Sequence, residues 1–190
     1  ANIGYRLSDS VGLYGSIGFN HDSESTQILG TVGVQKFGNP DGEGVLERTS
    51  IWVLWDQATD TEADDLYLHQ LRFMVGYALA ERTEVGMMWS IPTSDDVGAG
   101  ALSPLGGPGY LTFANNYVGP YVKRRFGQTD VTGTIGYSES GDGYALGLGA
   151  ERRVSDNLSV YADFKAGATD NFAGSAGVAI PFGAADTKWY

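Results

Sequence analysis

His21 and Ser23 are the two residues whose types and spacing could perform catalysis. In a His-x-Ser sequence, the imidazole can act as the base that activates the serine hydroxyl for attack on an ester. A carboxylate is normally needed to orient such a histidine, but the neighbouring strand offers Gln27 and Leu29 on the relevant side. The other histidine, His69, is interpreted as an ordinary interfacial residue. We therefore expect no enzyme, and keep catalysis by His21 and Ser23 as an alternative.

The sequence shows none of the other motifs that hold a metal or a nucleotide. It has no cysteine, which excludes disulfides and thiolate metal sites. It also has no HExxH zinc motif, no phosphate-binding glycine loop and no GxSxG nucleophile motif. The Gly-rich stretch VGAGALSPLGGPG, residues 97–109, contains no lysine. We expect no cofactor and no resident metal.

The elements that would position any site are strands. Alternation with period two, typical of β-strands, recurs along most of the chain, and tight connections alternate with longer ones. This pattern predicts an all-β fold, an up-and-down antiparallel β-barrel of about 10–12 strands that forms a single domain over residues 1–190. The predicted segments are 2–7, 11–20, 27–37, 45–57, 66–80, 84–92, 115–126, 131–140, the two arms of the hairpin LGLGAERRVSDNLSVYADFKAG at 146–167, and 172–182.

The two faces of these strands differ in an unusual way. One parity is apolar almost throughout, whereas the other is rich in Gly, Ser and Tyr and carries charges of both signs. A soluble barrel would instead show water a face rich in Lys, Glu and Gln. Small residues suit a confined interior, so we expect the apolar face to point outward to lipid and the small and charged residues to fill the lumen. A soluble barrel or sandwich with these ions exposed is the alternative.

This assignment predicts the positions of two sets of side chains, one in the lumen and one at the membrane interface. Glu151 and Arg153 are expected to pair across the lumen with Asp163 and Lys165 on the next strand, because an isolated interior charge is costly. Aromatic residues near the loop-side strand ends are expected to form an interfacial girdle. The predicted lumen charge network is Arg6, Arg72, Glu84, Glu151, Arg153, Asp163 and Lys165, and the predicted girdle is Phe19, Trp55, Trp89, Tyr137, Phe164 and Phe172.

Charge is distributed unevenly along the predicted barrel axis. The net charge is −11, with 23 acidic and 12 basic residues, which argues against a nucleic-acid partner. Most Lys and Arg residues lie beside tight turns, whereas the longer loops are acidic, so one rim should attract cations unless these loops are merely solvated. The predicted acidic rim, which could also gather divalent cations through oxygen ligands, is Asp60, Glu62, Asp64, Asp65, Asp95 and Asp96.

Strand-turn-strand units such as GAERRVSDNLSVYADF, and a chain ending in the aromatic Tyr190, resemble the small transmembrane β-barrels of Gram-negative outer membranes. The resemblance implies tight turns in the periplasm, longer loops outside and a final strand read by the assembly machinery. PFGAADTKWY departs from the usual ending, and eleven strands depart from the family's even number. We expect a further strand in GYLTFANN or DTKWY. The His-x-Ser pair is similar to that of outer-membrane lipid A deacylases, which carry it late in the chain.

The resulting functional prediction is a non-enzymatic barrel of the bacterial outer membrane, its signal peptide already removed. It would be a narrow cation-favouring channel, either open or plugged, or a structural or adhesive surface protein. Its expected partners are the lipid bilayer and lipopolysaccharide, with homo-oligomers possible. Two alternatives remain: a secreted barrel that self-assembles through an open edge or its ends, and a deacylase-like enzyme.

Overall fold

The computed structural model describes residues 2–8, 10–21, 26–60, 67–93, 117–138, 143–155, 158–167 and 172–179. Within these residues, eleven strands form one antiparallel sheet in which each strand pairs with the next along the chain, so the predicted up-and-down all-β fold is confirmed. The strands are β1 (Asn2–Arg6), β2 (Val11–His21), β3 (Thr26–Lys36), β4 (Thr49–Asp60), β5 (Tyr67–Ala80), β6 (Thr83–Pro92), β7 (Tyr117–Phe126), β8 (Thr129–Ser138), β9 (Gly143–Ser155), β10 (Leu158–Gly167) and β11 (Phe172–Ala179).

One predicted strand begins later than its sequence pattern suggests. Residues Val45–Arg48 form a four-residue helix, α1, and β4 starts only at Thr49. The Glu47 carboxylate accepts hydrogen bonds from the backbone N–H of Glu43 (3.0 Å) and Gly44 (3.5 Å), which caps the first turn. Lys36 then donates to the carbonyls of Leu46 and Thr49. These local bonds favour helix over the alternating pattern.

The consecutive hairpins place the connections at two ends of the sheet. We call the end with residues 7–10, 37–48, 81–82, 127–128 and 156–157 the turn end, and the end with residues 22–25, 61–66, 93–116, 139–142 and 168–171 the loop end. Gly127 has a φ of 62°, a left-handed conformation that glycine adopts without strain, and it closes the two-residue β7–β8 turn. That turn is shorter than the predicted one, since Thr129 and Asp130 already belong to β8.

The sheet curls so that its first and last strands approach each other, with Cα atoms of β1 and β11 within 8 Å. Within the described ranges, no helix has the length and apolar character that a membrane crossing needs.

The curl buries the side chains of the inner face and exposes the apolar side chains of the outer face. On β4, the side chains of Ile51, Val53 and Trp55 are exposed, whereas those of Trp52 and Leu54 between them are 5% and 2% exposed. The same alternation continues around the sheet, with exposed apolar residues on every strand from β2 to β10 whose side chains are described. A water-soluble protein would bury that apolar surface. The predicted orientation, apolar outside and small or charged inside, is therefore confirmed.

Candidate lumen site

Asp56 is the centre of a buried polar cluster on the inner face. Its side chain has no solvent exposure and accepts three hydrogen bonds. Thr31 Oγ1 donates to Oδ1 at 2.7 Å, Arg72 Nη2 donates to the same oxygen at 3.1 Å, and Gln70 Nε2 donates to Oδ2 at 3.1 Å. Arg72 and Asp56 thus form an ion pair whose side chains are 4% and 0% exposed. We call these four residues the Asp56 cluster.

Strand register explains why these four residues meet. Thr31 on β3 lies directly opposite Asp56 on β4, and Asp56 lies opposite Gln70 on β5. Arg72 is two residues further along β5, on the same face, and its long side chain reaches diagonally back to Asp56. A one-residue slip of β4 would turn Asp56 outward, so the cluster depends on this register.

Below the Asp56 cluster, towards the turn end, large side chains pack together on the inner face. Trp52, Leu54, Met74, Met88 and Tyr117 pack with Tyr121 into one buried group. Tyr14 of β2 meets the ring of Trp52 edge-on, with centroids 6.1 Å apart. Each of the six is less than a tenth exposed. We call this group the apolar layer.

Glu84 forms a second polar cluster on the turn-end side of the apolar layer. Its two carboxylate oxygens accept hydrogen bonds from Tyr121 OH (2.7 Å) and Ser50 Oγ (3.0 Å). Gly86 makes room for the ring of Tyr121, because a Cβ built on Gly86 would lie 2.5 Å from a carbon of that ring. The acid of one strand is thus held by a hydroxyl from each of two others.

Asp130 forms a third cluster at the turn end. Arg125 contacts its carboxylate through two nitrogens, at 2.7 and 2.8 Å, and Lys123 Nζ lies 3.5 Å away. Lys123 and Arg125 therefore neutralise the charge of this half-buried carboxylate.

The predicted pairing within the β9–β10 hairpin is wrong in register. Glu151 lies opposite Tyr161, and Arg153 lies opposite Ser159. Asp163 and Lys165 lie opposite Gly149 and Gly147 instead. Glu151 and Arg153 are on the inner parity and half-buried, as their strand positions dictate. The side chains of Asp163, Lys165 and Arg6 lie outside the described part.

The other predicted residues are only partly covered. Of the girdle, Trp55, Tyr137 and Phe164 are outward and exposed, and the half-buried Trp89 stacks on Phe73 at 5.4 Å between ring centroids. The side chains of Phe19 and Phe172 lie outside the described part. Of the acidic rim, Asp60 is the last residue of β4 rather than a loop residue, opposite Gln27. Glu62, Asp64, Asp65, Asp95 and Asp96 lie outside the described residues.

Of the candidate catalytic pair, only His21 belongs to the described residues. His21 is the last residue of β2, and Ser23 lies outside the described residues. His69 packs its ring against Trp55 on the outer face, with centroids 5.4 Å apart, in keeping with an interfacial residue. In the described ranges, no three His, Asp or Glu side chains gather as they would around a metal ion.

Sequence reasoning missed most of the buried polar contacts. Arg72 and Glu84 were expected in the lumen, but Asp56, Gln70 and Tyr121 were not assigned to the same network. The segment IWVLWD is apolar on both faces, which hid the inner parity of β4. Sorting Trp52, Leu54 and Asp56 onto one parity is the signal that could have located the cluster.

The fold is identified by its arrangement: the sheet is antiparallel and curls with apolar side chains outward and charged side chains inside. The fold is that of the outer-membrane β-barrels. Among solved structures, the chain is similar to variants of the Rhodobacter blastica porin: one with five substitutions (14% identity, TM-score 0.44) and one with two (14% identity, TM-score 0.44). Each match covers 90% of this chain, and the chain spans 55% of the length of those porins. No family model and no curated protein matches the chain.

Proposed function

We propose that the chain forms a non-enzymatic barrel of the outer membrane and acts as a narrow, plugged channel that favours cations. The observation that supports the proposal is the burial of the inward side chains. Trp52, Leu54, Asp56, Gln70 and Arg72 project inward, and each is 5% exposed or less. An open, water-filled lumen would leave such side chains accessible to solvent. Ions can therefore pass only along a narrow path or after local rearrangement.

The cation preference rests on charge. The net charge of −11 is carried largely by acids in the connections at the loop end. A mouth rich in carboxylates raises the local cation concentration and repels anions, and this effect weakens with salt. We propose Asp60, Glu62, Asp64, Asp65, Asp95 and Asp96 as this mouth, which could also take up divalent cations.

Planar-bilayer recordings of the purified protein test both parts of the proposal. The wild type should show small conductance and a cation-to-anion permeability ratio above one. A Trp52→Ala/Leu54→Ala variant should conduct more, because it removes two large inward side chains from the apolar layer. Val53→Ala, on the outer face of the same strand, is the matched control and should leave conductance unchanged. Large wild-type conductance equal to that of the double variant would contradict the plug, and an anion-favouring ratio would contradict the acidic mouth.

The proposal also covers location and partners. Residues 1–190 would act as a single barrel domain in the outer membrane, in contact with lipid and lipopolysaccharide, and could form homo-oligomers. The exposed apolar outer face supports membrane insertion. A protein that is monodisperse in plain buffer without detergent would favour the secreted alternative. Lipid deacylation that is lost in His21→Ala would favour the enzyme instead.

A further inference from the structure

Two neighbouring turns at the turn end enclose a shallow groove. Residues 81–82 join β5 to β6, and residues 127–128 join β7 to β8. The backbone N–H of Arg125 donates to the carbonyl of Arg82 at 2.9 Å, which ties the two turns together. The groove between them is lined by Ala80 to Thr83 on one side and Arg124 to Gly127 on the other.

The groove is basic at its outer edge. Arg82 and Arg124 are both exposed, and Glu81 is the acidic residue in the lining. Arg125 also lines the groove, but its guanidinium is bonded to Asp130. The guanidinium of Arg124 lies over the ring of Phe126, 5.3 Å from its centroid. Stacking on a ring uses the face of a guanidinium and leaves its edge N–H groups available to an anion.

The groove opens beside the lipid-facing surface. Arg124 lies on the outward parity of β7 between Val122 and Phe126, which are 50% and 57% exposed. An anion held by Arg82 and Arg124 would thus lie next to apolar side chains that hydrocarbon can cover. A phospholipid has that combination, a phosphate joined to acyl chains. Free phosphate would leave Val122 and Phe126 uncovered.

We propose that this groove binds the headgroup phosphate of an acidic phospholipid, such as phosphatidylglycerol, in the leaflet at the turn end. Arg82 and the ring-stacked Arg124 donate to the phosphate, and Val122 and Phe126 contact the start of the acyl chains. The inference rests on the proposed function, since the barrel must lie in a bilayer. The overall negative charge of the chain disfavours binding of a large polyanion at the same groove.

Spin-labelled lipids test this inference directly. The protein is reconstituted in low-salt vesicles with spin-labelled phosphatidylglycerol or phosphatidylcholine, and the fraction of each label immobilised by the protein is measured. An arginine near the membrane surface favours an acidic lipid by about fivefold at its own site. Averaged over all boundary lipids, the preference for phosphatidylglycerol should be about twofold, and Arg82→Gln/Arg124→Gln should reduce it to about one.

The matched control is Arg152→Gln/Arg153→Gln, which removes the same charge at the same end of the barrel but outside the groove. It should keep most of the preference. An equal fall in both variants would show diffuse attraction and overturn the site, as would a wild-type ratio of one. If neither lipid is immobilised by the wild type, the barrel is not in the bilayer and the proposed function fails instead. Unchanged heat-dependent gel mobility confirms that each variant is folded.

Discussion

Replacing Asp56 with Ala should destabilise the barrel more than any single substitution on its outer surface. The Asp56 carboxylate is fully buried and is bonded to Arg72, whose side chain is 4% exposed. Asp56→Ala leaves the Arg72 charge buried without its carboxylate partner, and removes the acceptor of Thr31 and Gln70. Breaking a buried ion pair from one side costs about 3–5 kcal/mol.

A double variant separates the cost of leaving Arg72 unpaired from the net contribution of the ion pair to the free energy of unfolding. Exchanging both partners for apolar residues of similar size, Asp56→Leu/Arg72→Met, removes both charges and should cost far less than Asp56→Ala. The two inner positions are next to Leu54 and Met74 of the apolar layer, so the new side chains have apolar neighbours. The single and double variants, together with Arg72→Met, form a cycle whose coupling energy should exceed about 1 kcal/mol.

Urea unfolding in lipid vesicles, followed by tryptophan fluorescence, measures these free energies. Trp52 lies four residues from Asp56 on the same face and reports on this region. Heat-dependent gel mobility shows independently whether each variant has folded. A loss below about 1 kcal/mol for Asp56→Ala would refute the reasoning, since it would mean that water reaches Arg72 and that the lumen is not closed there.

Two further predictions follow from other parts of the inner face. Tyr121→Phe should cost about 1.5–3 kcal/mol in the same unfolding assay, because it removes a 2.7 Å bond to the Glu84 carboxylate, and Tyr77→Phe on the outer face should change little. Gly86→Ala should cost about 1–3 kcal/mol because its Cβ meets the Val75 carbonyl oxygen and the Tyr121 ring, whereas Gly133→Ala, with open space around its Cβ, should be tolerated.

The fold could be predicted from sequence because each strand of a barrel can be recognised from its own residues. Each alternating run gives the strand, its parity gives the face, and the connection lengths give the up-and-down order. The eleven predicted segments correspond to β1 to β11, and the start of β4 was misplaced because Glu47 and Lys36 satisfy backbone groups of residues 43–49 locally. A capping side chain outweighs a four-residue stretch of alternation.

The contacts inside the barrel could not be predicted because they depend on register. Parity places Arg72 and Glu84 inside, but which neighbour each one meets changes with every two-residue shift. Arg72 binds Asp56, which lies opposite Gln70, two residues before Arg72 on β5. Glu84 binds hydroxyls on β4 and β7, although Lys123 is the residue directly opposite it. In the β9–β10 hairpin, the register places Asp163 and Lys165 opposite Gly149 and Gly147 rather than opposite Glu151 and Arg153.

Tyrosine and glycine are paired at two places on the inner face. Tyr117 lies over Gly136, and Tyr121 lies over Gly86, where an added Cβ would be 2.5 Å from ring atoms. A large ring that lies against a neighbouring strand needs a position without a Cβ beneath it, because a Cβ there would overlap the ring. These two glycines on the inner parity therefore let each tyrosine ring lie against the wall and occupy the space inside the curl of the sheet.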